Sequence, residues 1–330
     1  RDGTQRAWAG SFLRAAASLA GSPAAMKAQP ARILRRPAGP PLWRRRRRRR
    51  RVPPYNDGVS SRCVLLARGS ALALAASVAW PWGAAVRADP AALPALPPLP
   101  SGPGFARLAV PGFQSAVVAW PASPDDSGPP LPVLIAAHGS YDQPEWGCEV
   151  FQQVAAGRGV VLCPRGRLRW DTPSEPRLLR YYFPSGGGWL EREIDAGVSA
   201  LSRAGGGRVA PGPFLYIGFS QGAIFGAPIV IRQPARFPRV ILVEGGHDAW
   251  TLDGARRFAG GGGQRVLFAC GRTSCESSAG RAARSLSAAG VAVRVVTSPG
   301  QGHTYDGGVQ AEIAAAFAWV VEGDARFTRR

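Results

Sequence analysis

Short runs that are apolar at every position limit what this chain can fold into. Val133-Leu-Ile-Ala-Ala137 and Val240-Ile-Leu-Val243 offer no polar face to water. Such strands must be covered on both sides, as parallel strands are when helices pack against each face of a sheet. Eight strand-like runs follow one another at 106–110, 115–120, 132–137, 160–163, 214–219, 240–244, 266–270 and 291–297. Helix-like stretches separate several of them. At 190–203, Leu190, Ile194, Val198 and Leu201 recur at helical spacing behind an acidic first turn, and another helix is expected at 309–321. The pattern predicts an α/β fold: a mostly parallel eight-stranded sheet covered by helices on both faces. No repeat or linker interrupts 105–330, which reads as a single domain of about 225 residues.

The formal charge of +20 suggests a nucleic-acid partner until its position is considered. From Asp89 onward, 23 arginines stand against 19 carboxylates, an ordinary surface balance. The excess lies in residues 1–88, above all in the run Arg44 to Arg51 of the Pro/Arg-rich segment 1–58, which cannot build a core. That segment reads as upstream sequence translated in frame; a nucleic-acid or membrane arm is the rival reading. Residues 59–88 carry Arg62 and Arg68 before the apolar stretch 69–80, then Val86-Arg87-Ala88 with small residues at −3 and −1. This is the pattern of a secretory signal peptide cleaved after Ala88, which predicts a secreted or periplasmic protein without a stable membrane span. Residues 89–104 form a Pro-rich leader.

Four cysteines follow the signal, and an even number in an exported chain invites pairing. The spacing suggests Cys270 with Cys275 and Cys148 with Cys163. No CxxC pattern or neighbouring histidine supports a metal instead, and neither metal nor organic cofactor is expected.

Gly218-Phe-Ser220-Gln-Gly222 carries the sharpest chemical signal. In a chain with 42 glycines the G-x-S-x-G pattern alone says little, so its setting decides. It lies between the apolar run Phe214-Leu-Tyr-Ile217 and a helix-like stretch, the strand, tight turn and helix that expose a nucleophilic serine. Ser220 needs a base. His303, in the turn Gly300-Gln-Gly-His303 between the last strand and the last helix, stands where that base arrives in chain order. His138-Gly-Ser140-Tyr ends an earlier strand, where the N–H of Ser140 and that of Gln221 can complete an oxyanion hole; His138 then shapes the loop. His247 reads as structural.

HGSYD at 138–142, GFSQG at 218–222 and GQGH at 300–303 together resemble the α/β-hydrolase superfamily, in particular its carboxylesterase and dienelactone-hydrolase-like branches, over residues 107–321. The resemblance implies hydrolysis of a small-molecule ester or related acyl bond through an acyl-enzyme on Ser220. It also implies an acid a few residues past the strand 266–270, where this chain offers Glu276; Asp248, after the preceding strand, is the alternative. The rival functional reading is a noncatalytic binding protein on the same fold. Trp170, Tyr181, Tyr182, Phe183 and Trp189 form either a pocket wall or a cover over the core's edge. The substrate and the oligomeric state are not legible.

Overall fold

The computed structural model describes residues 95–102, 104–121, 128–184 and 186–328. The basic segment, the expected signal peptide at 59–88 and the start of the leader lie outside the described residues. What is described of the leader, 95–102 and 104, contains neither helix nor strand, as its prolines dictate.

All eight expected strands form, and they join one sheet. They are β1 (Phe105–Leu108), β2 (Ala116–Ala119), β3 (Val133–Ala137), β4 (Val160–Cys163), β7 (Leu215–Phe219), β8 (Arg239–Val243), β9 (Arg265–Cys270) and β10 (Ala292–Thr297). Their spatial order is β1-β2-β4-β3-β7-β8-β9-β10. The six strands from β4 to β10 along that order are parallel; β2 pairs antiparallel with both β1 and β4. Two further strands, β5 (Arg167–Leu168) and β6 (Tyr181–Tyr182), pair as a small antiparallel ribbon inside the aromatic stretch that shows no strand pattern in sequence.

Alternation along each strand divides the core into two layers. Val133, Ile135 and Ala137 of β3, with Val240 and Leu242 of β8, pack against α2 (Gly188–Gly205), α3 (Gln221–Arg232), α4 (Leu252–Gly260) and α5 (Thr273–Ala288). Leu134 and Ala136, with Ile241 and Val243, face the layer of α1 (Pro144–Ala155) and α6 (Gly307–Val321). Cys148 is bonded to Cys163, linking α1 to β4, and Cys270 to Cys275, linking the end of β9 to the first turn of α5.

The register sets up everything that follows. Ala137 lies opposite Gly218, Phe219 opposite Val243, Val243 opposite Ala269, and Cys270 opposite Thr297. Five strands thus end nearly abreast, and the loops leaving their carboxyl ends meet along one edge, where open α/β sheets place their ligands.

One buried ion pair braces that edge from behind. Arg165, wholly buried, is held bidentately by Glu145 at 3.1 and 2.6 Å, donates through Nε to Ser115 O, and lies over the Tyr181 ring. Glu145→Gln leaves that guanidinium inside the protein without its counter-charge. The expected loss is about 3–5 kcal/mol, read as a lower urea midpoint at unchanged slope.

Candidate functional site

Ser220 follows β7 directly and precedes the first residue of α3. Its backbone sits at φ 48°, ψ −110°, a conformation costly for a non-glycine residue. The turn is this tight because the helix returns across the strand it left. A Cβ on Gly222 would stand 2.2 Å from Ala137 O, and one on Gly218 2.7 Å from Ala223 N. The two glycines of the motif are therefore steric necessities. The turn is anchored by Ser220 N–H donating to Val243 O and Gly222 N–H to His138 O.

His303 comes from the loop between β10 and α6. Its Nε2 lies 2.8 Å from Ser220 Oγ. Its Nδ1 lies 3.1 Å from an oxygen of Glu244, the first residue beyond β8. The partner of His303 is thus neither of the two expected carboxylates. Glu276 stands in the first turn of α5 and is exposed, because the helix begins at Thr273 and carries it past the sheet edge. Asp248 lies in a 3-10 turn at His247–Ala249, also exposed. Glu244 instead follows directly on the strand adjacent to that of Ser220. A left-handed φ of 53° turns its buried side chain toward the histidine.

That carboxylate is heavily held. Gly271 N–H and Arg272 N–H donate to Oε1 at 2.7 and 3.0 Å, and Arg272 Nε donates to Oε2 at 2.6 Å. Burial pushes the Glu244 carboxyl up, but bonds from His303, Gly271 and Arg272 outweigh it and leave the group below the ordinary glutamate value. Glu244 is accordingly ionised at neutral pH, the state needed to orient an imidazole and balance its charge.

On the other side of Ser220 lies the loop after β3. A Cβ on Gly139 would come within 3.2 Å of Ser220 Cβ, so this loop packs directly on the serine. Gln221, the other expected donor, is the first residue of α3, where helices leave N–H groups without intrahelical acceptors. His138 is buried and does not reach the serine: its ring nitrogens lie 2.6 Å from Gly139 O and 2.8 Å from Arg165 O. Asp142, also buried, accepts from Gly139 N–H, Gln143 N–H and the Tyr305 hydroxyl. It thereby ties this loop to the one bearing His303. Desolvation raises the Asp142 carboxyl.

Sequence reasoning missed Arg169. Its guanidinium lies 3.5 Å from the centre of the Tyr141 ring, donates to Ser140 Oγ at 3.3 Å and pairs with Asp171. Arg169, then Tyr141, lower the Asp171 carboxyl to about 2. No local pattern announces this contact, which depends on the β5–β6 ribbon folding back over the loop after β3. Most of the aromatic stretch covers the core's edge: Tyr181 and Phe183 are buried, Phe183 against the His138 ring, and only Trp170 is fully out in solvent. His247 sits beside the second disulfide, with Nε2 3.4 Å from Cys275 Sγ, and burial lowers its pKa. His247, Cys270 and Cys275 form the sole metal-compatible group among the described residues, but both sulfurs are committed to the disulfide. The cavity of about 470 Å³ lined by Phe113, Arg167, Tyr181 and Trp189 contains neither Ser220 nor His303.

Neither a protein-family model nor a curated protein sequence matches the chain. Solved structures do resemble it. Poly(aspartic acid) hydrolase-1 from Sphingomonas sp. KT-1 is 15% identical over 67% of this chain and 100% of that one, with a TM-score of 0.45. S-formylglutathione hydrolase from Agrobacterium tumefaciens is 13% identical over 68% and 98%, TM-score 0.46. Dienelactone hydrolase from Anabaena variabilis is 13% identical over 66% and 95%, TM-score 0.45. Likenesses this distant carry no conclusion about activity. Six parallel strands flanked by helices on both faces, with a strained serine turn between β7 and α3 and a histidine in the loop after the last strand, make this an α/β-hydrolase fold.

Proposed function

We propose that the protein is a serine hydrolase of carboxylic esters, with Ser220 as nucleophile, His303 as general base and Glu244 as the acid of the triad. The observation that carries this reading is the unbroken chain of contacts from Ser220 Oγ to His303 Nε2 and from His303 Nδ1 to Glu244. His303 Nε2 takes the hydroxyl proton as Oγ attacks the acyl carbonyl. Ionised Glu244 keeps the other ring proton on Nδ1 and balances the imidazolium. The N–H groups of Gln221 and Ser140 receive the oxyanion. Collapse transfers the proton from His303 to the leaving alcohol, and water, activated by the same nitrogen, then releases the acid from Ser220. The paired cysteines and the signal-like segment at 59–88 support a site of action outside the cytoplasm.

Incubation with a fluorophosphonate, which forms a P–O bond to an activated serine and expels fluoride, tests the reading. Mass spectrometry should find the label on Ser220. A folded protein that remains unlabelled would instead support a noncatalytic binding role on the same fold.

A further inference from the structure

Beside its bond to His303, the carboxylate of Glu244 is held by three donors from two residues, Gly271 and Arg272. Those two residues are the bridge between β9 and α5, and the Cys270–Cys275 disulfide closes around them. The histidine loop rests on the same bridge. Ser298 N–H donates to Cys270 O, and a Cβ on Gly271 would stand 2.4 Å from Gly302 O, next to His303. Resting on the serine-hydrolase reading above, we propose that this disulfide-closed ring is a clamp that sets the Glu244–His303 geometry, with Arg272 as its positioning residue.

The physical case is one of preorganisation. Arg272 is the N-cap of α5 in extended conformation (φ −117°, ψ 144°), so its N–H and its Nε can reach the two oxygens of one carboxylate. That geometry is kept only while the helix start stays fixed to the strand end. Without the bridge, Gly271, which has no side chain to pack, and Arg272, half-exposed, are left with their bonds to Glu244 and the contact with the histidine loop. Reduction by a dithiol adds two electrons and two protons to the sulfurs, leaving two thiols and an oxidised reductant. It opens the ring as cysteine replacement does, so the clamp links activity to an oxidising compartment.

The experiment compares purified full-length Cys270→Ala/Cys275→Ala, Arg272→Gln and Arg272→Lys with wild type. It measures kcat and KM on a p-nitrophenyl ester, the rate of fluorophosphonate labelling, and Tm. Opening the ring should lower kcat and the labelling rate by about 10- to 100-fold, the cost of a misplacement on the order of an ångström, with KM changed less than about twofold. Arg272→Gln, which leaves the disulfide in place, should lose about tenfold, and Arg272→Lys should recover part of that loss. Because both changes act through one carboxylate, combining them should cost less than the product of the single losses. Cys148→Ala/Cys163→Ala, which opens the bridge between α1 and β4, should lower Tm and spare kcat. Folded ring-opened protein and Arg272→Gln protein with wild-type kcat and labelling rate would overturn the clamp while leaving the serine reading intact. A wild-type protein that takes no label overturns both.

Discussion

Ser220→Ala will fold like the wild type and lose ester turnover by on the order of 10⁶-fold in kcat, the scale at which a serine nucleophile and its base fail as a unit. The hydroxyl is part-exposed at the edge of the sheet, so its removal opens no core cavity, and alanine relieves nothing of the strained backbone at φ 48°. The unfolding midpoint should therefore stay close to that of wild type. His303→Ala should show a loss of the same size, and the double variant little more than either alone, because neither group activates anything without the other. Steady-state kinetics beside circular dichroism will decide. Retention of more than a few per cent of wild-type kcat in folded Ser220→Ala would remove the serine from the mechanism.

The second large effect concerns the acid. Glu244→Gln keeps the shape of the side chain, but a neutral amide neither favours the correct imidazole tautomer nor balances an imidazolium. The expected loss is on the order of 10⁴ in kcat. Glu276→Gln and Asp248→Asn should both stay within about twofold of wild type, since surface substitutions remote from a working group seldom matter. The three variants form one comparison, and a large loss in either of the latter two, with Glu244→Gln active, would reverse the assignment of the acid. The carboxyl of Glu244 also bears on acid stability. Held below its unfolded value, it contributes stability that is fully present above that unfolded value and is lost as pH falls through the folded one.

Much of this was legible in the chain. Strands buried on both faces are apolar at nearly every position, so β3, β4, β7 and β8 announce themselves within a residue of their ends, although β8 opens on Arg239. The serine turn is equally clear, because two steric requirements leave glycine on either side of it. The proposed acid was hidden by the turn that aims it at His303. Glu244 closes an apolar run and reads as the polar end of a strand, but the chain leaves β8 at Val243 and turns through a left-handed conformation that glutamate seldom adopts. The available clue was a carboxylate at the carboxyl end of a buried strand, followed by two glycines. Arg272 and Arg169 had no such clue. Each acts on a residue brought near by tertiary packing, 28 or 29 positions away in the chain.

The same turn has a mechanical consequence. Ser220 N–H is bonded to Val243 O, and Glu244 N–H, one residue on, to Ala269 O. The proposed nucleophile and acid are thus both tied to the end of β8, one across its ladder with β7 and the other across its ladder with β9, and shear that displaces β8 carries both together. His303 alone rides on a separate loop, the one after β10 that rests on Cys270 and Gly271. The spacing of the outer two partners is a property of the sheet, and whatever adjustment catalysis needs is left to the ring between them.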